Sequence, residues 1–314
     1  MIVRKSASST VLLSTLLLAP MAGCSMLVPI HVWSPPGLES TVGKRVVISD
    51  VVGPKDITSP LKQKLIASAP QDSGRETTIA SSLDLHQSDA IRLVSATDEE
   101  PSDIALSAAA KQEGYDYVLR GEVLEDRRPK ELKEADKRLS ISWRLFQLGD
   151  DSATGGMPVV VAKDTAIDRY PDLKLIADED TLLMTAAVRD TYRLISPSVN
   201  RHEIRLAIPY ATPGSKRVRA GNIAALNGRW ADAKRIWSEV AETHKLQVAA
   251  IHNLALAAVA EQDFSKAKQL ARKAVRRKPS SLHQKTLVWI ELQQREYHKA
   301  FNLPDPPEGW FVTQ

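Results

Sequence analysis

A thiol, a serine–lysine spacing and a run of three carboxylates are the groups in this sequence whose types and arrangement could do chemistry. Cys24 is the sole cysteine. One cysteine allows no internal disulfide and no cysteine-based metal cluster, so it is an inert thiol, a nucleophile or a point of modification. Ser59-Pro-Leu-Lys62 matches the four-letter pattern of serine acyl enzymes. No Ser-Asp-Asn or Lys-Thr-Gly element accompanies it, and Pro60 reads as a residue of a first helical turn. Asp178-Glu179-Asp180 could offer oxygens to calcium, but that ion takes about six to eight, and acidic residues are favoured electrostatically at a helix start. A phosphate-cradling glycine loop, His-Glu-x-x-His and Gly-x-Ser-x-Gly are absent, and the seven histidines lack ligand spacing. The expectation is no catalytic residue, no cofactor and no metal.

The surroundings of Cys24 decide among its roles. Arg4 and Lys5 precede the apolar run from Val11 to Ala19, followed by Pro20-Met-Ala-Gly-Cys24. A charged start, a short apolar core and small residues before a break are the parts of an export signal. The run falls short of the roughly 20 apolar residues that cross a bilayer as a helix. Met21-Ala-Gly-Cys24 resembles the lipobox of bacterial lipoproteins. That resemblance implies cleavage before Cys24, acylation of its sulfur and usually of the new amine, and thus a membrane anchor without a spanning helix. Ser25, where aspartate would imply retention in the inner membrane, points to the outer membrane, periplasmic face; the outer leaflet of the inner membrane is the alternative.

The remaining chain must fold around whatever surface it presents. Its 314 residues are 43% hydrophobic and 25% charged, which suits about two globular domains. A net charge of +4 gives no reason to propose a nucleic-acid partner. The charge is unevenly spread: residues 24–215 carry 23 Lys and Arg against 29 Asp and Glu, whereas residues 216–302 carry 17 against 7. Such asymmetry predicts two domains with different surfaces.

Residues 1–23 read as a signal peptide and 24–43, with Pro29, Pro35, Pro36 and Gly37, as a tether. The β-branched run 44–52 predicts a strand, Ser59-Pro60 the opening of a helix over 61–69, and 90–96 a second strand before a helix over 102–113 closed by Gly114. A strand follows over 115–124. Leu139, Ile141, Trp143 and Leu145 alternate with polar residues, which predicts a half-buried antiparallel strand that turns into Pro158–Ala162. A helix over 178–195 and a last strand near Ile204 to Ile208 complete an α/β domain, residues 44–209, with a mixed sheet and covering helices.

The stretch KQEGYDYVLRGEVLEDR from Lys111 resembles a signature of periplasmic lipoprotein domains related to the curli-secretion protein CsgG, the penicillin-binding-protein activator LpoB and the amino-terminal domain of TolB. The resemblance spans residues 44–209 loosely and is specific only over Tyr115 to Val123. It implies a structural role for Gly121, at a close approach within the sheet, and carries no catalytic group. A secretion pore of the CsgG type needs lipid-facing strands, and the insertion at 127–138 has 9 charged residues in 12, so it cannot supply one.

The carboxyl-terminal part repeats. LNGRWADAKRIWSEVA from Leu226 and AEQDFSKAKQLARKAV from Ala260 align at a spacing of 34, pairing Trp230 with Phe264, Ala233 with Ala267, Ala224 with Ala258 and Val240 with Ala274. The period and sites resemble the tetratricopeptide repeat, which implies an all-α helical-repeat domain over 210–302, with REYHKAF as a degenerate third unit and 303–314 as a tail. Trp230, Trp237 and Trp289 at helical spacing read as packing residues rather than a ligand-stacking set. Asn253 is the candidate for contacting an extended peptide. Arg272, Lys273, Arg276, Arg277 and Lys278 form a basic run that could meet an anionic surface, although a solvated helix face is the simpler reading.

These readings together predict a membrane-anchored, non-enzymatic scaffold or regulator that binds envelope proteins. An oligomeric structural subunit of a secretion or export assembly is the alternative, with homo-oligomerisation left open, and an enzyme of unfamiliar type comes last.

Overall fold

The computed structural model describes residues 26–70, 78–81, 103–126, 130–131, 136–149 and 152–311. Two core-forming units emerge, and their boundary is not the one predicted. The first is a five-stranded sheet of order β3-β2-β4-β5-β6: β2 (Arg45–Ile48), β3 (Thr78–Ser81), β4 (Tyr117–Val123), β5 (Arg138–Gln147) and β6 (Ser152–Ala162). The β2 strand runs parallel to β3 and β4, and β4, β5 and β6 form an antiparallel meander. Val46, Val47 and Ile48 are all buried because β2 is central and covered on both faces.

On one face pack α1 (Lys55–Ala67), α3 (Lys163–Arg169) and α4 (Glu179–Ile195), with Ile48, Leu119, Ile141, Trp143 and Leu183 in the core. On the other lies α2 (Asp103–Gln112), whose Leu106, Ala109 and Ala110 meet Val47 and Val118. The Asp178 side chain caps α4 by accepting from Thr181 N at 2.8 Å, as the acidic run predicts. The Tyr192 hydroxyl donates to Leu65 O, tying α4 to α1, and burial holds that phenol well above its ordinary pKa.

Gly121 faces Trp143 across the β4–β5 ladder, and a Cβ there would lie 2.5 Å from the indole ring. The close approach expected at this glycine is therefore made to the largest side chain in the sheet. Helix α1 begins at Lys55, earlier than predicted, so Pro60 lies inside the helix rather than in its first turn. Lys62 pairs with Asp50, which gives the Ser59-Pro-Leu-Lys62 motif a structural use. Helix α3 and the 3-10 turn Pro171–Leu175 had no sequence prediction.

The second unit begins where a tether was expected. Met26–Ser34 forms β1, paired antiparallel with β7 (Ser198–Leu206) in a two-stranded ribbon separate from the main sheet. Val28, Ile30 and Val32 alternate inward and are buried, which Pro29 tolerates by lying on the ribbon's outer face. The ribbon packs on α5 (Ser215–Leu226), α6 (Trp230–Thr243), α7 (Val248–Ala260), α8 (Phe264–Arg277) and α9 (Ser281–Ala300), sharing one core with Trp237, Leu256, Ala267 and Ile290. The predicted tether and the predicted last strand of the α/β domain thus become part of the helical unit, because the helices expose an apolar face that the ribbon covers.

Trp230 and Phe264 each start a helix, and Ala233 and Ala267 are both fully buried, as the 34-residue alignment requires. The third unit differs: α9 runs unbroken through 20 residues, so Tyr297 and Ala300 lie at its end instead of opening a second helix. The units are joined along residues 37–41. Gly37 N and Leu38 N donate to Arg193 O and Leu194 O at 2.9 and 2.8 Å, while Ser40 O accepts from Asn302 Nδ2 at 3.0 Å. Trp33 meets Phe301 edge to face, with ring centres 5.2 Å apart.

Candidate interaction surfaces

Asn253 sits on α7 and is fully buried. Its Oδ1 accepts from Ala207 N at 2.8 Å, and its Nδ2 donates to Ala207 O at 3.1 Å and to Asn222 Oδ1 at 2.8 Å. Asn222 Nδ2 also reaches Ala207 O at 3.1 Å, and Trp237 Nε1 donates to Asn222 Oδ1 at 3.2 Å. The expected peptide-contacting residue is therefore a clamp on the chain's own backbone where β7 leaves the ribbon. It corrects the sequence expectation: the extended segment Asn253 holds is internal, and no side-chain group of it remains for a partner.

The basic run divides. Lys273, Arg276 and Lys278 face solvent, Arg277 donates to Lys245 O, and Arg272 is half-buried beneath the Phe311 ring, 3.3 Å from its centre. Four of the five cations, Arg277 among them, are thus exposed at the end of α8, and Arg272 is drawn away to Phe311. Cys24 and residues 1–23 lie outside the described residues, as do the expected strand at 90–96 and much of the charged stretch 127–138.

The most developed surface was not predicted. Lys268 lies on the apolar stripe of α8 formed by Phe264, Ala267, Ala271 and Ala274, and only 1% of it is exposed. A buried ammonium requires a partner, and residues 303–311 supply it by crossing α8 and α9 in a non-helical conformation. Lys268 Nζ pairs with Glu308 Oε1 at 2.9 Å and reaches Gly309 O at 3.3 Å. Ser265 Oγ and Gln294 Nε2 also donate to Glu308, at 2.8 and 3.4 Å. Desolvation raises the Glu308 pKa, but the bonds from Lys268, from its own backbone, and from Ser265 and Gln294 outweigh it and hold the carboxyl down at about 2. Trp310 stacks edge-on against His298 with ring centres 5.5 Å apart, under the Arg295 guanidinium, and Phe311 N donates to Glu291 Oε1 at 2.7 Å. A lysine on an otherwise apolar helical stripe and an acidic–aromatic carboxyl terminus were the sequence signals for this contact.

A second groove, about 550 Å³, opens between β6, the end of α4 and β7. Asp190 is buried at its wall and accepts from Arg169 and, at 2.7 Å, from the Tyr170 hydroxyl. Burial and the Asp190 bond push the Tyr170 pKa up to about 12. Both carboxylate oxygens are thus engaged within the fold. Among the described residues no group of three or more potential metal ligands occurs, and no helix is long and apolar enough to cross a membrane.

No family model matches the chain, and no curated protein does. Among solved structures, the chain is similar to the PelC dodecamer from Paraburkholderia phytofirmans, with 11% identity over 53% of this chain and 97% of that one and a TM-score of 0.30. It is also similar to the LpoB C-terminal domain from Escherichia coli, with 15% identity over 39% of this chain and 85% of that one, TM-score 0.27. Lipoprotein GNA1162 from Neisseria meningitidis gives 10% identity over 38% and 83%, TM-score 0.25. Likenesses of this size assign no function.

Proposed function

We propose that the chain is a lipid-anchored periplasmic protein of the outer membrane that acts as a non-enzymatic, protein-binding scaffold or regulator in the cell envelope. The observation that carries the binding role is the α8–α9 surface, which accepts an extended polypeptide through a buried charge pair and aromatic contacts. Helix pairs repeating at 34 residues, with Trp230 and Phe264 at equivalent starts, support a tetratricopeptide-like reading of the helical unit. An export-like leader over residues 1–23, just before Cys24, supports the anchor. Two residues of chain span at most about 7 Å, so a lipid on Cys24 would hold the ribbon, which starts at Met26, against the membrane surface rather than on a long tether.

Site-specific photocrosslinking from the α8–α9 surface in intact envelopes tests the role, and reproducible capture of an envelope protein is expected. Capture of none would remove the scaffold reading. The rival reading, a structural subunit of a secretion assembly, is favoured by β6. This strand pairs on one side only among the described strands and exposes Met157 and Val160 near its outer edge. A stable ring-sized oligomer in detergent would support that rival.

A further inference from the structure

Beneath the carboxyl-terminal segment two buried polar atoms go unmatched. Gln294 is 2% exposed, yet its Oε1 has no hydrogen-bond partner among the described residues, and neither does the buried Nη2 of Arg272, whose guanidinium lies under the Phe311 ring. Gln294 is aimed at the segment, since its Nε2 reaches Glu308. Buried polar groups are normally satisfied, and each one left bare costs about 1–3 kcal/mol. The segment therefore fits the surface at Lys268 and leaves it underused around that point. The segment is also lightly held: Phe311 is 52% exposed, and Pro304, Asp305 and Pro307 face solvent.

We propose that the α8–α9 surface is a recognition site for an extended acidic–aromatic peptide of a partner protein, and that residues 303–311 occupy it in cis as a displaceable stand-in. This rests on the scaffold reading and names the partner's chemistry. A carboxylate goes to Lys268, as Glu308 does. An indole or phenyl ring follows two or three positions later, against Arg295 and His298. A backbone donor then meets Gln294 Oε1 and an acceptor meets Arg272 Nη2. A purely basic or purely aliphatic segment would leave the Lys268 ammonium buried without a counter-charge. Occupancy in cis makes the site selective, because a competitor must exceed the millimolar effective concentration of the tethered segment.

The probe is a fluorescein-labelled peptide of residues 303–311, Leu-Pro-Asp-Pro-Pro-Glu-Gly-Trp-Phe, titrated into the full chain in detergent. A full-length variant with Glu308→Gln, Trp310→Ala and Phe311→Ala disengages the segment. It should bind the peptide about tenfold or more tightly than the wild type, since the effective-concentration barrier is gone. Adding Lys268→Met should abolish that binding, and a scrambled peptide should not bind. Equal binding to both chains, no binding to a folded disengaged variant, or binding indifferent to Lys268 would overturn the proposal. If the disengaged variant does not fold by circular dichroism, the wild type is read instead. Excess unlabelled peptide should speed amide exchange in 303–311, and unchanged exchange counts against displacement. Crosslinked partners found alongside no peptide binding would refute this inference while leaving the scaffold reading intact.

Discussion

Asn253 donates through Nδ2 to Oδ1 of Asn222 at 2.8 Å, and both amides grip the backbone of Ala207. Two helices of the helical unit are thereby fastened to the chain where it leaves β7 and the ribbon. A fully buried amide that uses donor and acceptor groups together is worth more to a fold than a solvent-facing one, because every broken bond leaves another group unsatisfied.

Replacing Asn253 by Ala is expected to destabilise the protein by about 2–4 kcal/mol, since Ala207 N and Asn222 Oδ1 both lose a buried partner. Asn253→Asp should be nearly as harmful, because a carboxylate keeps the acceptor and loses the donor. Chemical denaturation measures both, and a change within experimental error would assign the clamp elsewhere.

Gly121→Ala should cost about 2 kcal/mol or more, because the new methyl would lie 2.5 Å from the Trp143 ring on a neighbouring central strand. Trp143→Leu in the same chain should recover part of that loss by opening space, a coupling that a double-mutant cycle reads directly. Simple additivity of the two changes would mean that the ring is not what excludes the methyl.

His252 is buried on α7, with its ring centre 4.9 Å from that of His283 and Nε2 3.3 Å from Arg205 O. Burial, then the proximity of His283, hold its pKa down at about 4, against which the Arg205 bond pulls only weakly. The folded state therefore resists a proton that the unfolded chain accepts near pH 6.5. Stability from this group is complete above pH 6.5, falls as the pH drops from there towards 4, and levels below 4, a loss of up to about 3 kcal/mol. His252→Gln should remove this component from the pH profile of thermal unfolding, and an unchanged profile would assign the acid sensitivity to other groups.

Labelled fatty acid should be incorporated into the full chain when it is made in a bacterial host and should disappear with Cys24→Ser. Incorporation that survives the substitution would remove the anchor and the compartment together, while leaving the peptide-binding experiment unaffected.

The alternation of Leu139, Ile141, Trp143 and Leu145 was legible as a half-buried strand because a strand's period is local, and the structure buries all four on one face. Helix α4 was legible from its spacing and its acidic first turn. Residues 26–34 were not: two prolines and a glycine just beyond them, and Pro29 within them, read as a tether. Nothing nearby in the chain reveals that β7 lies ready to pair some 170 residues later. The expected third repeat failed for a related reason, since continuing α9 as one helix lets Tyr297 pack against Phe264 and Phe301.

The sequence by itself determined the strands and helices whose periods are local, the close approach at Gly121, the 34-residue repeat and the signal-like context of Cys24. Only the tertiary structure decided that β1 completes the helical core, that Asn253 faces inward to the chain's own backbone, and that the site built around Lys268 is filled by Glu308. Each of these joins residues distant in sequence. Their pairing is set by which apolar faces and buried charges remain uncovered once the local elements have formed, a quantity that no single window of sequence contains.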